Sequence, residues 1–346
     1  MPIDLLLRLV NAERQVVTAE QIPDTLHDMG VEVDELTTTQ QYRCGVCGKV
    51  LERTEAQGAP LACSNCGADF RERAEMLSEA GTMRVARLDM LAVRPDIFDP
   101  GGMARYMRGF LGVREGLIEY DVDPPTLSVE VDPRLSNDDS YRPFIACAVL
   151  RNVSLDDETI KTLMNLQEDL HWALGRNRKL ASIGVYDLGT LRGETFHYDA
   201  VEPDELRFVP LGFDPADPAA AITPAQILEQ HKTGREFAHL LAGFTHYPLL
   251  RDGEGAVLSM PPIINSEATR VTQRSTDLFC DVTGTSPRAV DRALNILVTG
   301  LKELRPQITI QAVRIIAPDG ERVTPDLRTT EMALSVRQAC ETIGVD

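Results

Sequence analysis

The 346-residue chain carries 53 acidic against 35 basic residues, a net charge of −18, with ordinary apolar (43%) and charged (25%) shares. That length admits two or three domains with cores of their own. The acidity excludes a surface that coats nucleic acid or anionic membrane non-specifically, while leaving room for a local basic face. No stretch approaches ~18 apolar residues, and charges interrupt the N-terminal run, so that run reads as a helix rather than a signal or anchor, with the cytoplasm as the expected compartment.

In chain order, residues 1–40 read as a helix, a polar linker and a second helix at 23–30. Cys44-Gly-Val-Cys47-Gly and Cys63-Ser-Asn-Cys66-Gly follow, 15 residues apart. Each C-x-x-C turn brings two thiolates to one side of a knuckle, and the glycine after it lets the backbone curl around the sulfurs. Two knuckles complete a four-thiolate tetrahedron, which zinc favours at about 2.3 Å per sulfur. Disulfides fit the cytoplasm poorly, a redox C-x-x-C normally follows a strand of a βαβ unit, and an iron–sulfur site is the remaining alternative. The reading is a structural zinc ribbon over residues 42–70 with Cys44, Cys47, Cys63 and Cys66 as ligands. Four thiolates leave no open position for catalysis, and a segment this small holds little core without metal. Cys147, Cys280 and Cys340 read as small buried residues.

A strand bearing Met83, Val85 and Leu88 comes next, then turns at 94–96 and 99–102, then a helix with Met103, Tyr106, Met107 and Phe110 on one face, ended by Gly112. The ribbon thus interrupts a small α/β unit. An acidic, proline-containing connector at 119–137 holds one strand, 127–131. The apolar run at 144–150 suits a fully buried strand. Ser154 heads a helix with Ile160, Leu163, Met164, Leu170 and Leu174 at helical spacing and Gly175 as its stop. Strands are expected at 181–186, 206–209, 255–264, 278–282 and 308–315. Thr223-Pro224 and Ser286-Pro287 open helices, and Asp319-Gly320 makes a turn before a new element from Thr324.

Two stretches stand out. Residues 170–188, LHWALGRNRKLASIGVYDL, place Arg176, Arg178 and Lys179 beside a glycine and the lone tryptophan, with Arg192 close behind. These cations suit either an RNA-facing patch or a solvated helix end complementing the macrodipole. Residues 259–272, SMPPIINSEATRVT, set prolines and isoleucines before Asn265, Ser266 and Glu267, an apolar wall followed by polar groups that suits a small-molecule pocket. Turn-making by Asn265 and Ser266, and a solvated loop role for Glu267, are the competing readings.

The order of VRPDIFDPGGMARYMRGFLG (93–112), RPFIACAVLRNVSLDDETIKTLMNLQEDLHWALGRNRKLASIGVYDL (142–188) and GREFAHLLAGFTHYPLLRDGEGAVLSMPPIINSEATRVTQRSTDLFCDVTGT (234–285) resembles the beta subunit of phenylalanyl-tRNA synthetase of the archaeal and eukaryotic type. The resemblance implies an α+β chain. A small N-terminal α/β domain (1–118) with the ribbon insert at 42–70 precedes a larger mixed α/β tRNA-editing domain (119–322). The opening of a DNA-binding-like domain (323–346) would follow. It implies a ligase subunit that works with an alpha subunit and tRNA(Phe), away from membranes, and hydrolyses tyrosine wrongly esterified to that tRNA. Magnesium and ATP would act only through the complete synthetase, since adenylation belongs to the alpha subunit and relatives continue past residue 346.

By that resemblance Glu267, Asn265 and Ser266 read and process the substrate. Pro261, Pro262 and Ile263 form a wall, and Tyr186 and Asp187 occupy a facing loop where Gly184 leaves room for ligand. Arg176, Arg178, Lys179 and Arg192 would face the tRNA. A pocket that hydrogen-bonds the tyrosine hydroxyl rejects phenylalanine because its polar groups would go unpaired. No Ser–His–Asp or Cys–His arrangement is legible, and His197, His239 and His246 read as structural or exposed, so attack is expected to rest on substrate positioning. Two departures stand out: Tyr186 replaces the histidine of many relatives, and the ribbon is not a standard family part. The alternative is a noncatalytic tRNA-binding or assembly module on the same fold.

Overall fold

The structure, a computed structural model, describes residues 1–46, 48–63, 68–90, 92–136 and 142–345. The N-terminal part contains α1 (Ile3–Val10), α2 (Ile22–Asp28), β1 (Glu32–Cys44), β2 (Val50–Thr54), β3 (Leu77–Asp89) and α3 (Pro100–Phe110). The remainder contains β4 (Val122–Val131), β5 (Phe144–Arg151), α4 (Asp157–Ala173), β6 (Ala181–Asp187), β7 (Thr195–Val201), α5 (Pro224–Gln230), α6 (Lys232–Phe237) and β8 (Tyr247–Arg251). It closes with β9 (Val257–Met260), β10 (Ile264–Asn265), β11 (Leu278–Gly284), α7 (Pro287–Leu304), β12 (Thr309–Ala317), β13 (Gly320–Thr324) and α8 (Val336–Ile343).

The first three strands form an antiparallel sheet in the order β2-β1-β3. β1 and β3 pair from Glu32 opposite Asp89 to Cys44 opposite Leu77, so Cys44 sits at the far end of a long two-stranded ladder. Its root is tied down by apolar packing: Ile3, Leu5, Leu6 and Leu9 of α1 join Met103 and Met107 of α3 in one core with Leu163, Leu166, Val290 and Leu297 from α4 and α7. Asp99 caps α3 by accepting from the Gly101 and Gly102 amides. That carboxylate lies where a Cβ at Gly300 would stand, 2.8 Å from its Oδ2, so α7 meets the α3 cap only because position 300 is glycine.

The other ten strands form one mixed sheet, β10-β9-β8-β7-β4-β12-β5-β11-β6, with β13 paired to β12. β4 runs parallel to β12 and β7, and the remaining pairs are antiparallel. α4 and α7 cover one face near β5, β6 and β11, and α5 and α6 cover the β8–β9 wing. The other face closes on itself around Phe196, Tyr198, Phe279 and Tyr186, with Phe196 and Phe279 edge-to-face at 5.0 Å. Side-chain bonds then join the two ends of the sheet: the Tyr186 hydroxyl on β6 meets Ser259 Oγ on β9 at 2.7 Å, and the Asn265 amide on β10 donates to the Val185 carbonyl on β6 at 3.3 Å. The sheet is therefore almost a barrel, with a seam between β6 and β9–β10.

Four local expectations differ. α4 is capped by Asp156, not Ser154, because the Asp156 carboxylate takes both the Thr159 amide and hydroxyl. Residues 206–209 make only a single bridge, Phe208 to Ile222, while the strand of that region is β7. The strand expected at 255–264 is broken into β9 and β10 by a turn containing the cis Pro261-Pro262 bond. Tyr186 lies inside β6, fully buried, rather than in a loop. Thr324 is part of the sheet's last hairpin and exchanges hydrogen bonds with the Cys147 backbone through its hydroxyl.

Candidate functional site

The seam brings the two sequence-marked stretches together. β6 carries Gly184, Tyr186 and Asp187, and the 259–267 segment lies across from it. Gly184 is needed for the protein's own packing rather than for ligand space: a Cβ there would come within 1.9 Å of the Tyr186 hydroxyl and 2.3 Å of Asp281 Oδ1. Tyr186 donates to that Asp281 oxygen at 2.5 Å. Burial pushes the Asp281 carboxyl up to about 7, against the opposing pull of the Tyr186 hydroxyl and of Arg142. Burial and the neighbouring Asp281 also push the Tyr186 phenol well up, so it stays a neutral donor. Arg142, itself buried, binds the Thr283 carbonyl at 2.6 Å and Ser182 Oγ at 2.8 Å, which holds the opposite end of β6 against β11.

At the polar end of the motif the roles divide. Asn265 is half-buried, its side chain turned to Val185 and its carbonyl accepting from Leu211. Ser266 is buried and caps the short turn Glu267–Thr269 through its hydroxyl, as expected of a turn-maker. The Glu267 carboxylate points to the protein: Arg270 grips it at 2.8 Å, and the Gly212 amide donates to Oε2 at 2.8 Å. Pro261, Pro262 and Ile263 are buried wall residues. Asp187 ends β6, accepting from the Gly189 amide and the Ser275 hydroxyl.

The four cations also separate. Arg178 is a clamp: its guanidinium donates to the Pro262 and Ile263 carbonyls, pairs with Glu168 at 3.1 Å and lies 4.2 Å over the Phe237 ring. It therefore pins the turn after α4 to the 261–263 wall. Arg192 is exposed and folds back onto the Gly189 and Leu191 carbonyls. Arg176 and Lys179 are exposed and, among the described residues, reach no carboxylate. Two clefts of about 520 and 910 Å³ lie elsewhere, between β3 and α4 and beside β13. Beside Gly184 the seam is filled by the Tyr186 hydroxyl and the Asp281 carboxyl.

No family model matches the chain. It is 46% identical over 251 residues to the phenylalanine–tRNA ligase beta subunit of Methanothrix thermoacetophila, covering 72% of this chain and 44% of that protein. It is 44% identical over 254 residues to the beta subunit of Methanosarcina barkeri, covering 73% and 44%. An N-terminal fragment of the phenylalanyl-tRNA synthetase beta subunit from Pyrococcus horikoshii superposes with a TM-score of 0.78 at 31% identity, over all of this chain and 84% of the fragment. The chain belongs to the phenylalanyl-tRNA synthetase beta-subunit family. It spans under half the length of the two curated relatives it matches.

Within this beta-subunit fold the cysteine-bearing segment expected to form a ribbon is partly described. Cys44 and Cys63 are buried in a small cluster with Leu51 and Phe70, while Cys47 and Cys66 lie outside the described residues. The Cys44 amide donates to the Lys49 carbonyl and the Cys63 amide to the Ala68 carbonyl, each five residues on. Among the described residues no three His, Cys, Asp or Glu side chains are placed to hold a metal. Nor is any helix among them long and apolar enough to cross a membrane. Reading the sequence missed Asp281 and Ser259, which complete the seam's polar network; a carboxylate inside the apolar run LFCDV was the available signal.

Proposed function

We propose that this chain is the N-terminal part of a phenylalanine–tRNA ligase beta subunit whose seam hydrolyses tyrosine wrongly esterified to tRNA(Phe). The observation that carries the reading is the meeting of the 259–267 segment with β6 across the sheet seam in a member of this family. The ester's aminoacyl end would enter beside Pro261, Pro262 and Ile263, with the Asn265 amide oriented by Val185 to read a polar group. Water adds to the ester carbonyl, the ribose oxygen leaves and takes a proton, and tyrosine and free tRNA result. Positioning is the proposed source of the rate. Glu267 acts through its grip on Arg270 and Gly212, shaping the corner at 209–213.

The proposed setting is cytoplasmic, in complex with the alpha subunit and tRNA(Phe). ATP and magnesium are used by the complete synthetase, and one structural zinc is held by Cys44, Cys47, Cys63 and Cys66. The test is deacylation of tRNA(Phe) charged with tyrosine or with phenylalanine. Selective release of tyrosine supports editing, and equal or absent release by folded protein, alone and with the alpha subunit, contradicts it.

A second reading, a noncatalytic tRNA-binding or assembly module, draws on two observations: Tyr186 fills the space beside Gly184, and Glu267 is already paired. It predicts tight tRNA or alpha-subunit binding without turnover.

A further inference from the structure

The turn after α4 combines three features that the seam does not use. Arg176, Asn177 and Arg178 all adopt positive φ, 47°, 55° and 67°, a left-handed run of three non-glycine residues. Single residues visit that region, whereas a consecutive run of them is costly and persists only when its surroundings hold it. Here the hold is visible: the Asn177 amide donates to the Trp172 carbonyl, the Arg178 amide to the His171 carbonyl and the Leu180 amide to the Gly175 carbonyl. The Arg178 side chain then locks the turn to the 261–263 wall.

What this turn presents outward is the chain's only tryptophan, 67% exposed, on the last turn of α4, followed by exposed Arg176 and Lys179. Of the two exposed acids on the preceding turn, Glu168 and Asp169, Glu168 is paired with Arg178. A large aromatic face left in water near two cations that, among the described residues, reach no carboxylate, on a molecule of net charge −18, matches the chemistry of a single-stranded nucleic acid: a base to stack and phosphates to neutralise.

We infer that Trp172, Arg176 and Lys179 dock the single-stranded 3′ end of an RNA, a base stacking on Trp172 while the cations hold the adjoining phosphates. This rests on the proposed tRNA reading and adds to it a contact residue and a direction of approach. Because Arg178 fixes the turn to the wall of the candidate pocket, an end held here is delivered to the seam. The strained turn is thereby a rigid platform rather than a loose helix end.

The lone tryptophan makes the test direct, since all indole emission reports this position. The full chain is titrated with tRNA(Phe) carrying its complete 3′ end, and with the same RNA lacking its terminal unpaired nucleotides. The expected result is saturable quenching by the first, weakened by salt and at least about tenfold weaker with the second. Arg176→Glu and Lys179→Glu should each weaken the titration severalfold. Trp172→Ala should raise KM for deacylation about tenfold while leaving kcat unchanged.

Unchanged emission while filter retention shows tRNA binding and deacylation continues would overturn this inference and leave the editing reading standing. A response to the alpha subunit but not to RNA would also overturn it, assigning the patch to protein. Absence of both RNA binding and deacylation would remove the tRNA reading and this inference together.

Discussion

The cysteine-bearing segment at 42–70 and the seam are held in place by opposite resources. Among the described residues the segment at 42–70 has a core of four buried side chains, two of them cysteines, at the end of a two-stranded ladder. It is lashed to α4 at the surface by Arg43–Asp157 and Lys161–Glu52. The seam instead inherits its order from a ten-stranded sheet and the buried Tyr186–Asp281–Ser259 network. Under the proposed zinc reading one region depends on a metal, and the other on packing already present. The lesson is that local stability and functional reach are separable along this chain.

The sharpest way to break the comparison is at the glycine inside the seam. Gly184→Ala drives a methyl into the Tyr186 hydroxyl and Asp281, so it should lower global stability by about 3 kcal/mol or more, read by urea denaturation. Metal removal should act on the other side alone. Chelation, or Cys44→Ser with Cys63→Ser, should open the ribbon to protease cleavage within residues 42–77 and abolish a stoichiometry of about one zinc per chain. The cooperative melting of the large sheet should shift little. A common loss of both regions would mean that the ribbon and the sheet fold as one unit.

The seam carries its own pH signature. Asp281 stays protonated in the folded protein up to about 7, whereas in the unfolded chain it ionises near 3.8. Between those values the unfolded state binds fewer protons, so this group makes stability fall as pH rises and level off above about 7. Asp281→Asn should flatten that part of the profile, at ~1.4 kcal/mol per pH unit of displacement, relative to wild type. Glu168 slopes the other way: its pairing with His171 and Arg178 outweighs burial and holds it down at about 2, stabilising above the usual carboxylate range and lost on acidification. Comparing variant with wild type removes that background. Smallest of all, Arg178→Lys keeps the charge but loses the forked carbonyl contacts and the stack on Phe237, for a predicted ~1–2 kcal/mol in thermal unfolding.

Much of this was legible in the sequence where chemistry is local. The paired cysteines, the Thr223 capping box, the Ser286-Pro287 start of α7 and the buried run of β5 are each spelled out within a few residues. Illegible features depend on partners far along the chain. Arg178 reads as a surface cation until Pro262 and Ile263, 84 and 85 positions later, take its guanidinium. Gly184 reads as ligand space until Tyr186 and Asp281 fill it. β8 escaped notice because Pro248 interrupts its pattern, although its residues are buried between β7 and β9. β1 escaped because TTTQQ is polar, its stability coming from the ladder with β3.

The central claim is that the seam between β6 and β10 is the editing site. Single-turnover deacylation of tyrosyl-tRNA(Phe) by wild type, Asn265→Ala and Glu267→Ala, each checked for unchanged melting, tests it most directly. Asn265 faces β6 across the seam, so its loss should lower the rate constant at least about a hundredfold, while Glu267, acting through the 209–213 corner, should cost less. A folded Asn265→Ala variant that releases tyrosine at the wild-type rate would place the chemistry somewhere other than the seam.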